Sequence, residues 1–241
     1  MIRSLYLCLV CILLMSCSKN ADFTLSGRVN GLKKGTLYLQ KVEDSTLVYV
    51  DSMVVDGDPE FELKATIKEP QIVILTLDKV DADNFHDRLI IFAEPREMTV
   101  NTSLKEFISQ AAITGSENHL ILKEYQQMVK QFNNRNLELI KRSFEVRQEG
   151  NEDSILAYDI KLKQLTRSKY LYTINFAMNH RDLEVAPYLA VSEIFDARRS
   201  FLDTIYNSLT PKVKKSLYGK ELKSLLKLAE EEPSDTLTAT R

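Results

Sequence analysis

The feature that most constrains this chain is a change of hydrophobic period at Thr114-Gly115-Ser116. Before it, from Phe23 to about Thr114, apolar residues recur every second position, which is the signature of half-buried strands. Phe61, Leu63, Ala65 and Ile67 alternate with Glu60, Glu62, Lys64 and Thr66, so one face of that strand is apolar and the other is wet. Leu47 to Val55 is a β-branched run that stops at Asp56-Gly57-Asp58-Pro59, a strong turn signal. Gly27, inside the first alternating run, marks a bulge or a close approach of another backbone. Together with Ile72–Leu77, Leu89–Phe92, Met98–Val100 and Ala112–Thr114, these runs predict roughly eight short antiparallel strands. Many short strands separated by turn residues predict a β-sandwich or a partly open barrel.

After Gly115 the period becomes helical. Ile121, Tyr125, Met128, Val129 and Phe132 share one face of a helix that Thr114 or Ser116 would cap. Gly150-Asn151-Glu152-Asp153 breaks it, and Ile155, Tyr158, Leu162 and Leu165 begin a second long amphipathic helix that runs to about Met178. Pro187 opens a third, Thr210-Pro211 a fourth, and Leu222 to Leu228 mark a last one stopped by Pro233. The expected fold class is therefore α+β: a β domain over 23–115, a helical domain over 116–232 and a polar tail over 233–241.

The first residues set an address. Arg3 supplies a positive start and Leu5 to Met15 an apolar run, within the roughly 7–15 residues of a secretory signal and short of the ~20 that span a bilayer. Leu14-Met15-Ser16-Cys17 resembles the bacterial lipobox. That resemblance implies a signal peptide over 1–16, diacylation of Cys17 with palmitate-type chains, and a lipidated tether over 17–22. Ser18 rather than Asp after the cysteine implies sorting to the outer membrane, with the periplasmic and surface sides both open. The expected location is the cell envelope, held to the membrane by the lipid anchor.

Cysteine usage limits the chemistry. Cys8-Leu9-Val10-Cys11 has the C-x-x-C spacing of thioredoxin-like sites, but it lies in the apolar leader and leaves with it. Only Cys17 would remain, acylated at sulfur, so no redox-capable thiol is expected in the processed chain.

Phe23-Thr24-Leu25-Ser26-Gly27, Gly35-Thr36-Leu37-Tyr38-Leu39, Asp51-Ser52 ahead of Val54-Val55-Asp56-Gly57, Phe61, Pro70 and Thr114-Gly115-Ser116 form a recognisable set. The set resembles the N-terminal domain of unknown function 4369 of envelope lipoproteins from Gram-negative anaerobes. In those proteins a β domain and a helical segment precede a thioredoxin-like thiol-disulfide domain, and Ser216-Leu217-Tyr218-Gly219-Lys220 is similar to the stretch just ahead of it. The chain stops where that domain would start, so the resemblance implies the non-catalytic half. The expected function is a non-enzymatic binding or interaction module, with an envelope protein such as a thioredoxin-like protein as a partner. The alternative is a split or truncated thiol-disulfide oxidoreductase acting with a separate thioredoxin-like chain.

No catalytic residue, cofactor or metal is assigned. His86, His119 and His180 show no ligand spacing. Asp78, Asp81, Asp83 and Asp87, with His86, lack the glycine and terminal glutamate of an EF-hand loop and read as a solvated connection. Neither G-x-S-x-G, G-x-G-x-x-G nor G-x-x-x-x-G-K-[ST] occurs. With 32 Lys+Arg against 34 Asp+Glu, the balance argues against a nucleic-acid binder. Lys163, Arg167 and Lys169 among Tyr170 and Tyr172 read as a solvated helix face over buried tyrosines. The lysines from Lys212 to Lys227 read as the outer face of the terminal helices. An exposed apolar patch or an edge strand in the β domain is the expected mark of a docking surface.

Overall fold

The structure, a computed structural model, describes residues 21–43, 46–79 and 86–231. The apolar leader, Cys17 and the tail 233–241 lie outside the described residues. Eight strands follow one another before any described helix: β1 (Phe23–Asn30), β2 (Lys34–Glu43), β3 (Thr46–Asp56), β4 (Glu60–Ala65), β5 (Gln71–Lys79), β6 (Asp87–Ala93), β7 (Glu97–Ser103) and β8 (Ala112–Thr114). They form two four-stranded sheets, ordered β4-β1-β7-β8 and β3-β2-β5-β6. Alternate side chains of both sheets, such as Leu25, Leu63 and Val100 from one and Leu39, Leu75 and Ile91 from the other, meet in one buried core. The β-sandwich is thus the form the alternating pattern takes.

One pairing differs from the antiparallel expectation. β1 and β7 run parallel, with Gly27 beside Val100. A parallel pair needs a long crossover: the chain leaves β1, builds β2 and β3, comes back to the first sheet as β4 on the other side of β1, then builds β5 and β6 before returning as β7.

Six helices follow: α1 (Glu117–Glu149), α2 (Glu152–Asn179), α3 (Val185–Glu193), α4 (Arg199–Ser208), α5 (Pro211–Lys214) and α6 (Leu217–Glu231). Among the described residues no helix is long and apolar enough to cross a membrane. Ser116 is the N-cap of α1, its hydroxyl accepting from the His119 N–H at 2.9 Å. Gly150, at φ 71°, ends α1 in the left-handed conformation, and Asn151 caps α2. The Pro187 segment is α3, Thr210 caps the single turn α5, and α4 has no counterpart in the expected elements.

α1 and α2 form an antiparallel hairpin. The less exposed positions of α1 (Leu122, Tyr125, Val129, Phe132, Asn136, Leu139, Ser143) fall at alternating steps of three and four, the spacing of a coiled-coil seam. The base of the hairpin packs on β5 and β6 through Ile72, Phe92, Tyr125 and Phe176, with Val185, Leu189 and Tyr218 completing the cluster. Behind it Ile174, Ala177, Ala190, Ile205 and Leu222 make a purely helical core.

Candidate functional site

Two places depart from an ordinary surface. The first is a buried polar joint where sandwich and helices meet. Glu94 lies just past the end of β6, Asn118 in the first turn of α1, and Glu184 at the start of α3. All three are buried, at 5%, 2% and 3% exposure. The Asn118 amide donates to Glu94 Oε1 at 3.2 Å and to Glu184 Oε2 at 3.1 Å, while its Oδ1 accepts the Val185 N–H at 2.8 Å. Glu94 Oε1 also accepts from the Ser116 hydroxyl and the Asn118 N–H, at 2.9 and 3.0 Å.

Each carboxylate has a cation on its outer side. Arg96 pairs with Glu94 at 3.0 Å and Lys212 with Glu184 at 3.5 Å. Burial would raise the Glu94 pKa, but the hydrogen bonds from Asn118 and Ser116 and the charge of Arg96 outweigh it and hold it below the usual value. A cleft of about 430 Å³ opens over the pair, lined by Lys68, Glu69, Arg96, Lys212 and Lys215 among others. Paired carboxylates under a cleft invite a hydrolytic reading. General acid catalysis, however, needs a carboxyl that keeps its proton near neutral pH. Glu94 is tuned the other way, and Asn118 ties both carboxylates into one hydrogen-bonded knot, so the arrangement is suited to joining elements.

The second place is β3, an edge strand of its sheet. β4 lies alongside its C-terminal half, where Asp51 Oδ2 accepts the Lys64 N–H at 2.8 Å. The N-terminal half, Thr46 to Val50, continues beyond that contact. Tyr49 and Val54 are 66% and 72% exposed, and Leu47 and Val42 on the adjoining β2 are exposed too. Tyr49 is steadied by an edge-on contact with Tyr38, the ring centroids 5.2 Å apart. An open strand edge with rigid aromatic and β-branched side chains can accept a further strand.

The remaining candidates disperse. His86 is exposed near Asp78, at 3.5 Å. His119 is buried, its Nδ1 accepting the Phe92 N–H at 3.3 Å. His180 ends α2 with its ring on Phe176. Among the described residues no three His, Cys, Asp or Glu side chains gather as metal ligands. Asp87 pairs with Lys79 at 2.6 Å, while Asp81 and Asp83 lie outside the described residues. In the basic-aromatic strip, Lys169 pairs with Glu193 and Tyr170 donates to Asp196, while the Tyr172 ring stacks on Tyr125. Burial, then the Asp196 contact, pushes the Tyr170 hydroxyl up to about 12.

The polar joint is the part the sequence reading missed. Its members are separated by 24 and 66 residues, and the one local signal was Asn118 standing inside the first turn of a capped helix.

Fold and site together define a β-sandwich protein extended by a helical hairpin and a helical cluster, with a structural polar joint and an open sheet edge. Residues 23–122, which span the sandwich and the start of α1, match the family model described as a domain of unknown function (DUF4369). No curated protein matches the chain.

Proposed function

We propose that this protein is a lipid-anchored lipoprotein of the cell envelope whose folded body is a non-enzymatic binding module. The observation that carries the reading is the open N-terminal half of the β3 edge, with Tyr49 held out to solvent and Leu47 exposed beside it. Such an edge binds by adding a strand from a partner, with backbone hydrogen bonds giving affinity and the exposed side chains giving selectivity. The lipobox-like Leu14–Cys17 supports the anchor, and the outer membrane is its proposed site. The resemblance to the N-terminal part of thioredoxin-containing envelope lipoproteins makes a thioredoxin-like envelope protein the first partner to try.

A photo-crosslinking residue at position 49, installed in the cell of origin, tests the module. Capture of a thioredoxin-like protein from position 49, and not from exposed Glu62 on β4, is the expected result. Equal capture from both positions, or none, overturns it. Purified protein is expected to leave insulin disulfides intact, and insulin reduction would reverse the non-enzymatic assignment.

A further inference from the structure

We propose that the far half of the α1–α2 hairpin is a self-association surface, on which a second copy of this chain docks antiparallel to form a four-helix bundle. The base of the hairpin is covered by the sandwich and by α3 and α4, but the far half keeps large apolar side chains in solvent. Leu137, Ile140 and Phe144 on α1 are 66%, 48% and 63% exposed, and Leu156 and Ile160 on α2 are 61% and 46% exposed. Counted from the seam as heptad a and d, Ile140 is at e and Leu137, Phe144 and Leu156 are at b, all on one flank, with Ile160 at f on the outer edge next to Leu156. Arg147 on α1 and Asp159 on α2 also fall at e. The e positions of an antiparallel pair share a side. The Arg147–Asp159 ion pair, at 2.7 Å, bridges the helices there. Further down the same side, Asn133 and Thr166, also e positions, line one cleft with Phe195.

This stripe is core at its other end. On α2 it runs Leu156, Ile160, Lys163, Arg167, Tyr170, Ile174, Ala177, again in steps of three and four. Tyr170, Ile174 and Ala177 pack in the helical core with Leu202 and Ile205 of α4. The stripe therefore lacks a covering helix only over its far half.

The sequence of that half identifies the cover. Asp153, Leu156, Ile160 and Lys163 read acid, apolar, apolar, base. Laid antiparallel on itself about position 158, the stripe sets Leu156 against Ile160 of the second copy and Asp153 against Lys163. On α1, Ile140 and Phe144 are symmetric in the same way about position 142. Positions 142 and 158 are each eight residues from Gly150, so one two-fold axis at one height serves both helices, and the contact closes on itself.

The same operation brings the hairpin tip at Gly150 to the height of Asn134 on α1 and Thr166 on α2. There a groove of about 550 Å³ waits beside the α3–α4 connection, lined by Lys163, Arg167, Arg198 and Phe201 among others. Glu149 and Glu152 at the tip are thereby brought to the level of these basic side chains. Residues 137–167 carry six cations and six anions, a balance that favours a charge-matched protein surface over an anionic lipid one.

The test uses the full chain in detergent micelles, followed by native mass spectrometry and sedimentation velocity, with circular dichroism to check folding. A concentration-dependent dimer is expected. Asp153→Lys and Lys163→Asp, at exposed positions, each turn two attractive contacts into two repulsive ones and are expected to weaken the dimer roughly tenfold. The double variant Asp153→Lys/Lys163→Asp is expected to restore it, and Ile160→Ser to weaken it with the helix content unchanged. A monomer at every concentration overturns the proposal, leaving the stripe to another protein or to lipid. A dimer indifferent to these changes, or one the double variant fails to restore, overturns it equally by placing the contact on another face.

Discussion

The hydroxyl oxygen of Tyr218, in the first turn of α6, accepts the backbone N–H of Ile72 in β5 at 2.9 Å, across 146 residues of chain. It fastens the last described helix to β5, an inner strand of the helix-bearing sheet. Around it the rings of Phe92, Tyr188 and Tyr218 meet edge to face with centroids 5.0 to 5.7 Å apart. Burial pushes the Tyr218 hydroxyl well above the usual tyrosine range, so it stays protonated.

Tyr218→Phe keeps the ring contacts and strands a buried N–H. An unmet buried donor costs about 1–3 kcal/mol, which for a chain of this size lowers the melting temperature by roughly 2–4 °C per kcal/mol. Thermal unfolding of the two proteins measures it. An unchanged melting temperature would show that the bond contributes nothing.

Gly27 lies against β7 with no room for a side chain. A Cβ there would run into the carbonyl oxygen of Val100, its partner in the parallel pair. Gly27→Ala is expected to push β1 from β7 and to cost about 1–3 kcal/mol or more. Gly57→Ala, in a turn where a Cβ meets nothing within 4 Å, has a positive φ but no collision, so it should cost less. Denaturant midpoints of the two variants rank them, and the reverse order would contradict the close approach.

What the sequence made legible was local. Alternation in Phe61–Ile67 and the three-four spacing through Tyr125 and Phe132 report a half-buried strand and helix without help from the rest of the chain. Ser116 and Gly150 likewise mark the ends of α1 through their own chemistry. α4 escaped because nothing marks its start: Arg198 precedes it with no side-chain cap bond. The parallel β1–β7 pair escaped because strand order is a long-range property. The polar joint escaped for the same reason, since Glu94 and Glu184 read as surface acids until Asn118 is seen between them. The bare stripe on the hairpin was half legible: Leu156 and Ile160 fall off the half-buried seam of Ile155, Tyr158 and Leu162, and apolar residues off the seam ask for a second cover.

Cys17 lies outside the described residues, so its role rests on the apolar run that it closes. Acyl chains contribute about 0.8 kcal/mol per buried CH₂, and stable anchoring takes more than one chain. Cys17→Ser is expected to move the protein from the membrane fraction to the soluble fraction and to abolish labelling with a fatty-acid probe. Retention in the membrane with no label would place the anchor elsewhere.

Asn118→Leu removes the amide that joins Glu94 to Glu184 while roughly keeping its volume. Two buried carboxylates would then face one another across an apolar side chain, and the Val185 N–H would lose its acceptor. Breaking a buried charged network by removing one member costs about 3–5 kcal/mol. Denaturant unfolding measures the loss, and a drop under 1 kcal/mol would mean that water or Lys212 and Arg96 satisfy the joint unaided.

His119 makes stability depend on pH in a stated direction. Its Nδ1 accepts the Phe92 N–H, so the folded protein needs that nitrogen unprotonated. Burial, reinforced by the charge of Lys123, lowers its pKa from 6.5 to about 4. The unfolded chain therefore binds a proton near pH 6.5 that the folded chain refuses until about pH 4. The contribution is full above 6.5 and is lost as pH falls to about 4, amounting to at most roughly 3 kcal/mol. Glu94, held below its usual pKa, adds a loss of the same sign lower in the carboxylate range. His119→Gln offers an amide oxygen to the Phe92 N–H and does not titrate. It is expected to flatten the fall in unfolding free energy between pH 6.5 and 4.5 while leaving the steeper fall below it. A variant with the same slope as the parent would assign the pH dependence to other groups.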